Sequence, residues 1–400
     1  MLWALAGQFV GRAARVAVAL SMACGAESPA PAARALGREQ QPFVNGEDDR
    51  REYFELGEPA QRAALEQSGV ALMTDSAAAA VVDGHLELLP TWGQVNALCD
   101  DEPFVDQPSA AFCSGVLLDW NLVLSSGHCV DGLPIEELRV AFGYYYGDSG
   151  DLEMQARDIY AVARVVAARR DPAVPGDSGE RLDYAWLELA EPVREPHRPA
   201  PAYVAQRGVS EGDPVISIGA GGGVPLKWDG GGRVQYSRAD FDDYFIADTD
   251  TSQGSSGGGV FDQNLAVIGS LARGASDFTL TSEGCFATNV ESDPALALEQ
   301  FTYVHRAVEG LCETGFDSVL CDPACAELCD AGEGTPPARD RAGDDGGCAV
   351  AAGGAGTQGG NAPPWLVLGA MAALARRRAR AHQWNMVPSP RRATGKLAGT

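Results

Sequence analysis

The chain has 400 residues, with 55 acidic against 30 basic side chains, a net charge of -25 and 45% hydrophobic residues. Phosphate binding needs clustered Lys and Arg, so this balance excludes a nucleic-acid partner and implies solubility and repulsion from anionic surfaces. By length alone the chain could hold two domains.

Residues 1–24 read as an export signal: Arg12 and Arg15 precede Val16-Ala17-Val18-Ala19-Leu20, and small residues lead to Ala23-Cys24-Gly25. The apolar run is shorter than the about 20 residues of a membrane span. Cys24 with the Gly-Ala-Glu-Ser-Pro-Ala-Pro behind it resembles a bacterial lipoprotein start, although Ser21 stands where that motif prefers leucine. Lipidation of Cys24 and simple cleavage are both open. Residues 25–43, rich in Pro and Ala, read as a linker or short propeptide. From Phe43 the composition is globular, with a short helical patch at 62–66 and strands at 70–73, 81–82 and 86–89. His85 belongs to no motif.

Two apolar runs, 112–118 and 122–130, flank Asp119-Trp120-Asn121 and predict a strand pair with a polar turn. His128 sits just beyond the second run, beside Cys129, and a bridge from Cys129 to Cys113 would staple the histidine loop to the preceding strand. Short apolar runs separated by Gly, Pro and Asp from 140 to 223 have the spacing of an antiparallel barrel. Among them Asp183 heads the alternating Asp-Tyr-Ala-Trp-Leu-Glu-Leu, a suitable post for a carboxylate that orients an imidazole. His197, in a proline-rich loop, reads as surface. The glycine-rich stretches 219–223 and 230–232 read as loops, since no Gly-Lys-Ser/Thr follows that would make a phosphate cradle.

Residues 249–261 carry the chemistry. Gly254-Ser255-Ser256-Gly257-Gly258 has the composition of a turn that exposes a serine hydroxyl, with the N–H groups of Gly254 and Ser256 facing the carbonyl under attack. Such Gly/Ser runs are usually flexible loops. This one gains meaning from a histidine and a carboxylate elsewhere, because serine needs a base to take its proton. Residues 296–311 place Phe301, Val304, Ala307, Val308 and Leu311 on one face of an expected terminal helix.

The Cys-Ser-Gly … Ser-Gly-His-Cys, Asp-Tyr-Ala and Gly-Ser-Ser-Gly-Gly blocks, in that order, resemble the three signatures of chymotrypsin/trypsin-type serine peptidases. The similarity spans about residues 44–312. Gly46-Glu47-Asp48-Asp49-Arg50, Asp250-Thr251, Arg273-Gly274 and Asp277-Phe278 are similar to the bacterial branch that includes the glutamyl endopeptidases. The resemblance implies an all-β fold of two six-stranded antiparallel β-barrels (chymotrypsin-like) with a C-terminal helix. It implies an exported endopeptidase acting on protein or peptide through His128, Asp183 and Ser256, with an oxyanion hole at Gly254 and Ser256, as a monomer and with no cofactor. A catalytically dead surface binding protein on the same fold, or an esterase using the same triad, are the alternatives.

The aspartate that pairs with a new N-terminal ammonium in trypsin-like zymogens is here Ser255, so activation by that ion pair is not expected. Leader removal is expected to expose a start near Val44. Asp250 occupies the position of the acid that selects Arg or Lys in trypsin, and no histidine lies between Ser256 and Cys285 to bind glutamate. A basic preference is therefore expected if Asp250 points inward, and an acidic one is not.

Of the ten cysteines, Cys24 and Cys348 lie in processing segments, which leaves an even eight. The connectivity of Cys99, Cys285, Cys312, Cys321, Cys325 and Cys329 is open, and export favours disulfides over a metal at the last three. Residues 313–347 read as a Cys/Gly-rich linker. In residues 348–380, Cys348 after Gly346-Gly347, the apolar run 365–375 and Arg376-Arg377-Arg378 resemble the myxobacterial C-terminal sorting tag. Residues 381–400 overrun its usual end. An exported protein, held at the cell surface or outer membrane by lipid or by this tag or released outside the cell, is therefore expected.

Overall fold

Antiparallel strands β1 (Gly69–Thr74), β2 (Ala111–Asp119), β3 (Leu122–Ser125), β4 (Leu138–Ala141), β5 (Ile159–Arg170) and β6 (Asp183–Leu189) close into a barrel in the order β6-β3-β2-β1-β4-β5. The coordinates are a computed structural model that describes residues 44–82, 85–86, 89–172, 179–274, 277–293 and 299–322. The export segment with Cys24, the cysteines Cys325, Cys329 and Cys348, and the sorting-tag region lie outside the described residues.

Side chains alternate across a strand, so one set faces in and the other out. Val70, Leu72, Leu117, Val123, Val140 and Leu187 fill the barrel interior, while Ala71, Val116, Leu124 and Trp186 join the larger core shared with the second sheet. Burial on both faces explains why these strands read as nearly continuous apolar runs.

The second sheet contains β7 (Ile216–Gly219), β8 (Lys227–Asp229), β9 (Val234–Tyr236), β10 (Tyr244–Ala247), β11 (Gly259–Phe261) and β12 (Val267–Arg273). After the hairpin β13 (Phe278–Leu280) and β14 (Phe286–Thr288), β15 (Glu299–Tyr303) returns to it. The order β9-β10-β15-β12-β11-β7-β8 ends on Arg50–Arg51, giving eight strands in an open ladder where six in a closed barrel were expected. Strand β8, next to the Arg50–Arg51 edge, and edge strand β9 are joined by residues 230–233 alone, and the bridge Pro214↔Arg233 with Val215 N–H donating to Gly232 O (2.8 Å) brings the start of β9 back against the residues before β7. The fold is of the two-barrel, chymotrypsin-like class, and the glycines at 230–232 make its tight closing turn.

Around these sheets lie α1 (Pro59–Ser68), α2 (Asp75–Ala78), α3 (Trp92–Asn96) and α4 (Val304–Cys312). Disulfides join Cys99–Cys285, Cys113–Cys129 and Cys312–Cys321. Two expectations are corrected. The helix expected over 296–311 begins at Val304, because residues 299–303 pair with β10 on one side and β12 on the other. His197 is buried, not on the surface: its ring stacks on Phe142 at 4.3 Å, and Nδ1 and Nε2 lie 3.3 Å and 3.4 Å from Glu66 O and Asp158 Oδ1.

The terminal helix braces the strand that carries Asp183. Trp186 Nε1–H donates to Ala307 O at 2.7 Å, and a Cβ on Gly310 would sit 1.8 Å from the Tyr184 hydroxyl oxygen, so helix and strand are in direct contact. Trp186→Phe removes that bond and ring volume from a fully buried site. It is expected to cost about 2 kcal/mol, read as a lower denaturant midpoint at unchanged m-value; an unchanged midpoint would show that α4 does not brace β6.

Candidate active site

His128 occupies a single 3-10 turn, Gly127–Cys129, where β3 ends. Gly127 is required there: a Cβ would come within 2.3 Å of Arg169 O. The turn is held from both sides, by the Cys113–Cys129 bridge and by His128 N–H donating to Asp183 Oδ1 at 3.1 Å. Asp183 Oδ2 lies 2.9 Å from His128 Nδ1. A carboxylate only accepts, so Nδ1 carries the proton and Nε2 is left as the base.

Asp183 is 2% exposed. Its backbone exchanges hydrogen bonds with Thr302 Oγ1, which accepts from Asp183 N (3.2 Å) and donates to Asp183 O (3.1 Å). Arg273 Nη2 lies 3.8 Å from Asp183 Oδ2 and also donates to Asp171 O. Neither contact was legible in sequence, since Thr302 lies 119 positions from Asp183 in a segment whose pattern suits a helix.

The serine turn is pinned between β2 and β12. Ser114 N–H donates to Ser256 O (2.8 Å), Ser114 Oγ donates to Gly254 O (2.8 Å), and Gly257 N–H donates to Leu271 O (2.7 Å). Ser126, two residues before His128, donates from Oγ to the same Leu271 O at 2.5 Å. Gly254 and Gly257 have φ of 106° and 84°, and a Cβ on Gly257 would strike Ser125 Oγ at 2.2 Å. Glycine is therefore a steric requirement on both flanks of the serines. Ser255 is buried, whereas Ser256 is partly exposed, and Cys129 Sγ lies 3.7 Å from Ser256 O. The turn thus lies against the residue next to His128. Among the described residues, no acceptor takes the N–H of Gly254 or of Ser256.

Asp250 lies among backbone amides. Its Oδ1 accepts Asn45 N–H (2.8 Å) and its Oδ2 accepts Asp49 N–H (2.7 Å), while its own N–H donates to Asp229 Oδ2 (2.7 Å). Each oxygen thus accepts a backbone N–H of the segment before α1. Burial, then the neighbouring Asp229, raises Asp250 to about 8; burial raises Asp229 to about 6. Oxygens of Asp49, Asp229 and Asp250 lie within 4.8 Å of one another. Those of Asp229 and Asp250 all accept backbone N–H groups, which accounts for the cluster without a cation. Cys113 and Cys129, grouped with His128, are spent in their disulfide and offer no thiolate.

Residues 113–269, which contain His128, Asp183 and Ser256, match the family model of the trypsin-like peptidase domain. No curated protein matches the sequence. Among solved structures, the VesB protease of Vibrio cholerae is similar at 17% identity and a TM-score of 0.36, over 61% of this chain and 62% of that one. The inactive form of the Rv3671c protease of M. tuberculosis is similar at 17% identity and a TM-score of 0.36, over 65% of this chain and 97% of that one.

The paired acids give a pH prediction. Both have folded-state values raised above the ordinary 3.8, so their stabilising share is complete below that value and is lost as pH rises through about 6 and about 8. The melting temperature is expected to fall by about 5 °C or more between pH 5 and pH 9. Asp229→Asn, whatever its effect on absolute stability, is expected to flatten that slope. An equally steep slope in the variant would remove the pair as its cause.

Proposed function

We propose that the protein is an exported serine endopeptidase working through His128, Asp183 and Ser256. One observation carries the reading. Within a stretch that matches a trypsin-like peptidase domain, His128 Nδ1 lies 2.9 Å from a buried carboxylate, while the residue after His128 lies against Ser256.

Ser256 Oγ attacks the peptide carbonyl carbon as His128 Nε2 takes its proton. Asp183 holds the Nδ1 proton and steadies the imidazolium. The unshared N–H groups of Gly254 and Ser256 receive the developing oxyanion. The imidazolium then gives its proton to the departing amine, leaving an acyl ester on Ser256. Water, deprotonated by Nε2, hydrolyses the ester and restores the serine. These side chains and water handle every proton and electron pair.

Three disulfides suit an oxidising compartment, which supports export. Surface retention through Cys24 or the Cys348 region completes the reading. A preference for Arg or Lys drawn from Asp250 is not part of it, because both carboxylate oxygens are already engaged.

A tagged fluorophosphonate is expected to label the folded mature protein at Ser256. Ser256→Ala should abolish the label, and both Ser256→Ala and His128→Gln should lower peptide hydrolysis by about a thousandfold or more. Folded protein that takes no label is a silent binding scaffold; hydrolysis of esters but of no peptide makes it an esterase.

A further inference from the structure

Beside Gly254 lies a cavity of about 220 Å³ walled by Trp92, Val95, Phe112 and Phe278, with Asp277 at its polar end. It is too small for a whole small molecule, whose pockets run to about 300–1,000 Å³, but can take one large side chain. Phe112 comes from β2; Trp92 and Val95 come from α3, and Phe278 from β13. Trp92, Val95 and Phe278 lie outside residues 113–269 and Phe112 sits at its border, while Gly222, Gly223, Gln253 and Gly254 of the matched stretch complete the lining.

The wall is rigid. Thr91 and Gln94 form a reciprocal capping box on α3, and Trp92, fully buried, packs against Gly222, where a Cβ would stand 2.4 Å from the indole. Ser109 Oγ–H donates to Gly222 O at 2.7 Å. Cys99–Cys285 ties the segment after α3 to the β13–β14 hairpin, and two backbone bonds, Cys99 N–H to Phe286 O and Phe286 N–H to Ala97 O (both 2.9 Å), lie beside it. On the catalytic side, Asp277 Oδ2 accepts Gln253 N–H at 3.0 Å, which fixes the cavity to the serine turn one residue before the oxyanion donor Gly254.

Which half of a substrate faces this cavity follows from the geometry. The serine turn lies between β2, reached through Ser114, and β12, reached through Leu271. A peptide with its carbonyl carbon at Ser256 must send one half toward each. The departing amine takes its proton from His128, whose loop is bonded to β2 through Cys113–Cys129 and to β12 through Ser126 Oγ. The cavity opens beside Phe112, the residue before Cys113 on β2, and the amine half is placed on that side.

Resting on the peptidase reading, we propose that this cavity binds a large apolar side chain, aromatic or long aliphatic, from the first two residues after the scissile bond. It selects against Asp and Glu there, which would face the Asp277 carboxylate across apolar walls. Burying such a side chain is expected to raise kcat/KM by about ten- to hundredfold over glycine.

The test uses matched peptides that differ in the two residues after the cleaved bond (Gly, Asp, Leu or Phe), and acyl transfer from one ester substrate to Gly-amide or Phe-amide, a readout of this side alone. Wild type is expected to favour Phe and Leu over Gly by about tenfold or more and to disfavour Asp. Val95→Glu, at a half-exposed position, and Phe112→Ala are expected to bring the Phe-to-Gly ratio toward one. That ratio is unmoved by a partly unfolded preparation, which lowers both rates alike. Peptide hydrolysis with a wild-type ratio near one, or a ratio untouched by both variants, overturns the cavity proposal and leaves the peptidase intact. Failure of Ser256 to take a fluorophosphonate on folded protein, with no peptide cleaved, overturns the peptidase reading and this proposal with it.

Discussion

A carboxylate taken out of water costs several kcal/mol unless donors surround it, and Asp183 is almost wholly buried. Its surroundings come from both halves of the molecule. His128, through its backbone N–H and Nδ1, meets the carboxylate from the first barrel, while from the second sheet Thr302 bonds the Asp183 backbone and the Arg273 guanidinium lies 3.8 Å from Oδ2. The acid is therefore stable only when the two sheets share one register. Ser114 and Ser126 enforce it by reaching across to Gly254 and Leu271. The arrangement of His128, Asp183 and Ser256 belongs to the interface, and neither sheet holds it alone.

The segment before α1 is drawn into the same arrangement. Val44 and Asn45 pair in parallel with Val290 and Glu291, Arg51 pairs with Trp228, and the amides of Asn45 and Asp49 sit on Asp250. Arg50 folds back onto Asp48 in a two-bond fork, Nε to Oδ1 at 2.7 Å and Nη2 to Oδ2 at 2.6 Å. In trypsin-like zymogens a chain-terminal ammonium meets an aspartate beside the nucleophile. Here the neighbour is Ser255, and an internal stretch of backbone meets an acid six residues earlier. The Gly46-Glu47-Asp48-Asp49-Arg50 block thus gains a physical role: it offers the Asp49 amide to a buried acid and leads into the sheet's last edge strand, Arg50–Arg51.

The added segments, residues 75–110 and the β13–β14 hairpin, are fastened to each other by Cys99–Cys285 and to the serine turn by Asp277. They wall the cavity beside Gly254, and His128, Asp183 and Ser256 lie outside them.

What the sequence determined by itself was local. The hairpin around Asp119-Trp120-Asn121, the acid at the head of β6, the glycines flanking Ser256 and the Cys113–Cys129 staple were legible because each depends on neighbours in the chain or on steric demands that allow few residue types. Tertiary structure decided the rest. Residues 299–303 carry a helical pattern, yet hydrogen bonding along both edges made them a strand; His197 looked like loop surface until Phe142 supplied a ring to stack on. Asp250 stood where a specificity acid was expected, but amides some 200 residues away in sequence took both its oxygens. Cys99 met Cys285 across a separation of 186, and the cavity beside Gly254 is assembled from segments far apart in the chain. Contacts of that range leave no periodicity to read, because the partner that sets each residue's environment is chosen only when the two sheets and their added segments come together.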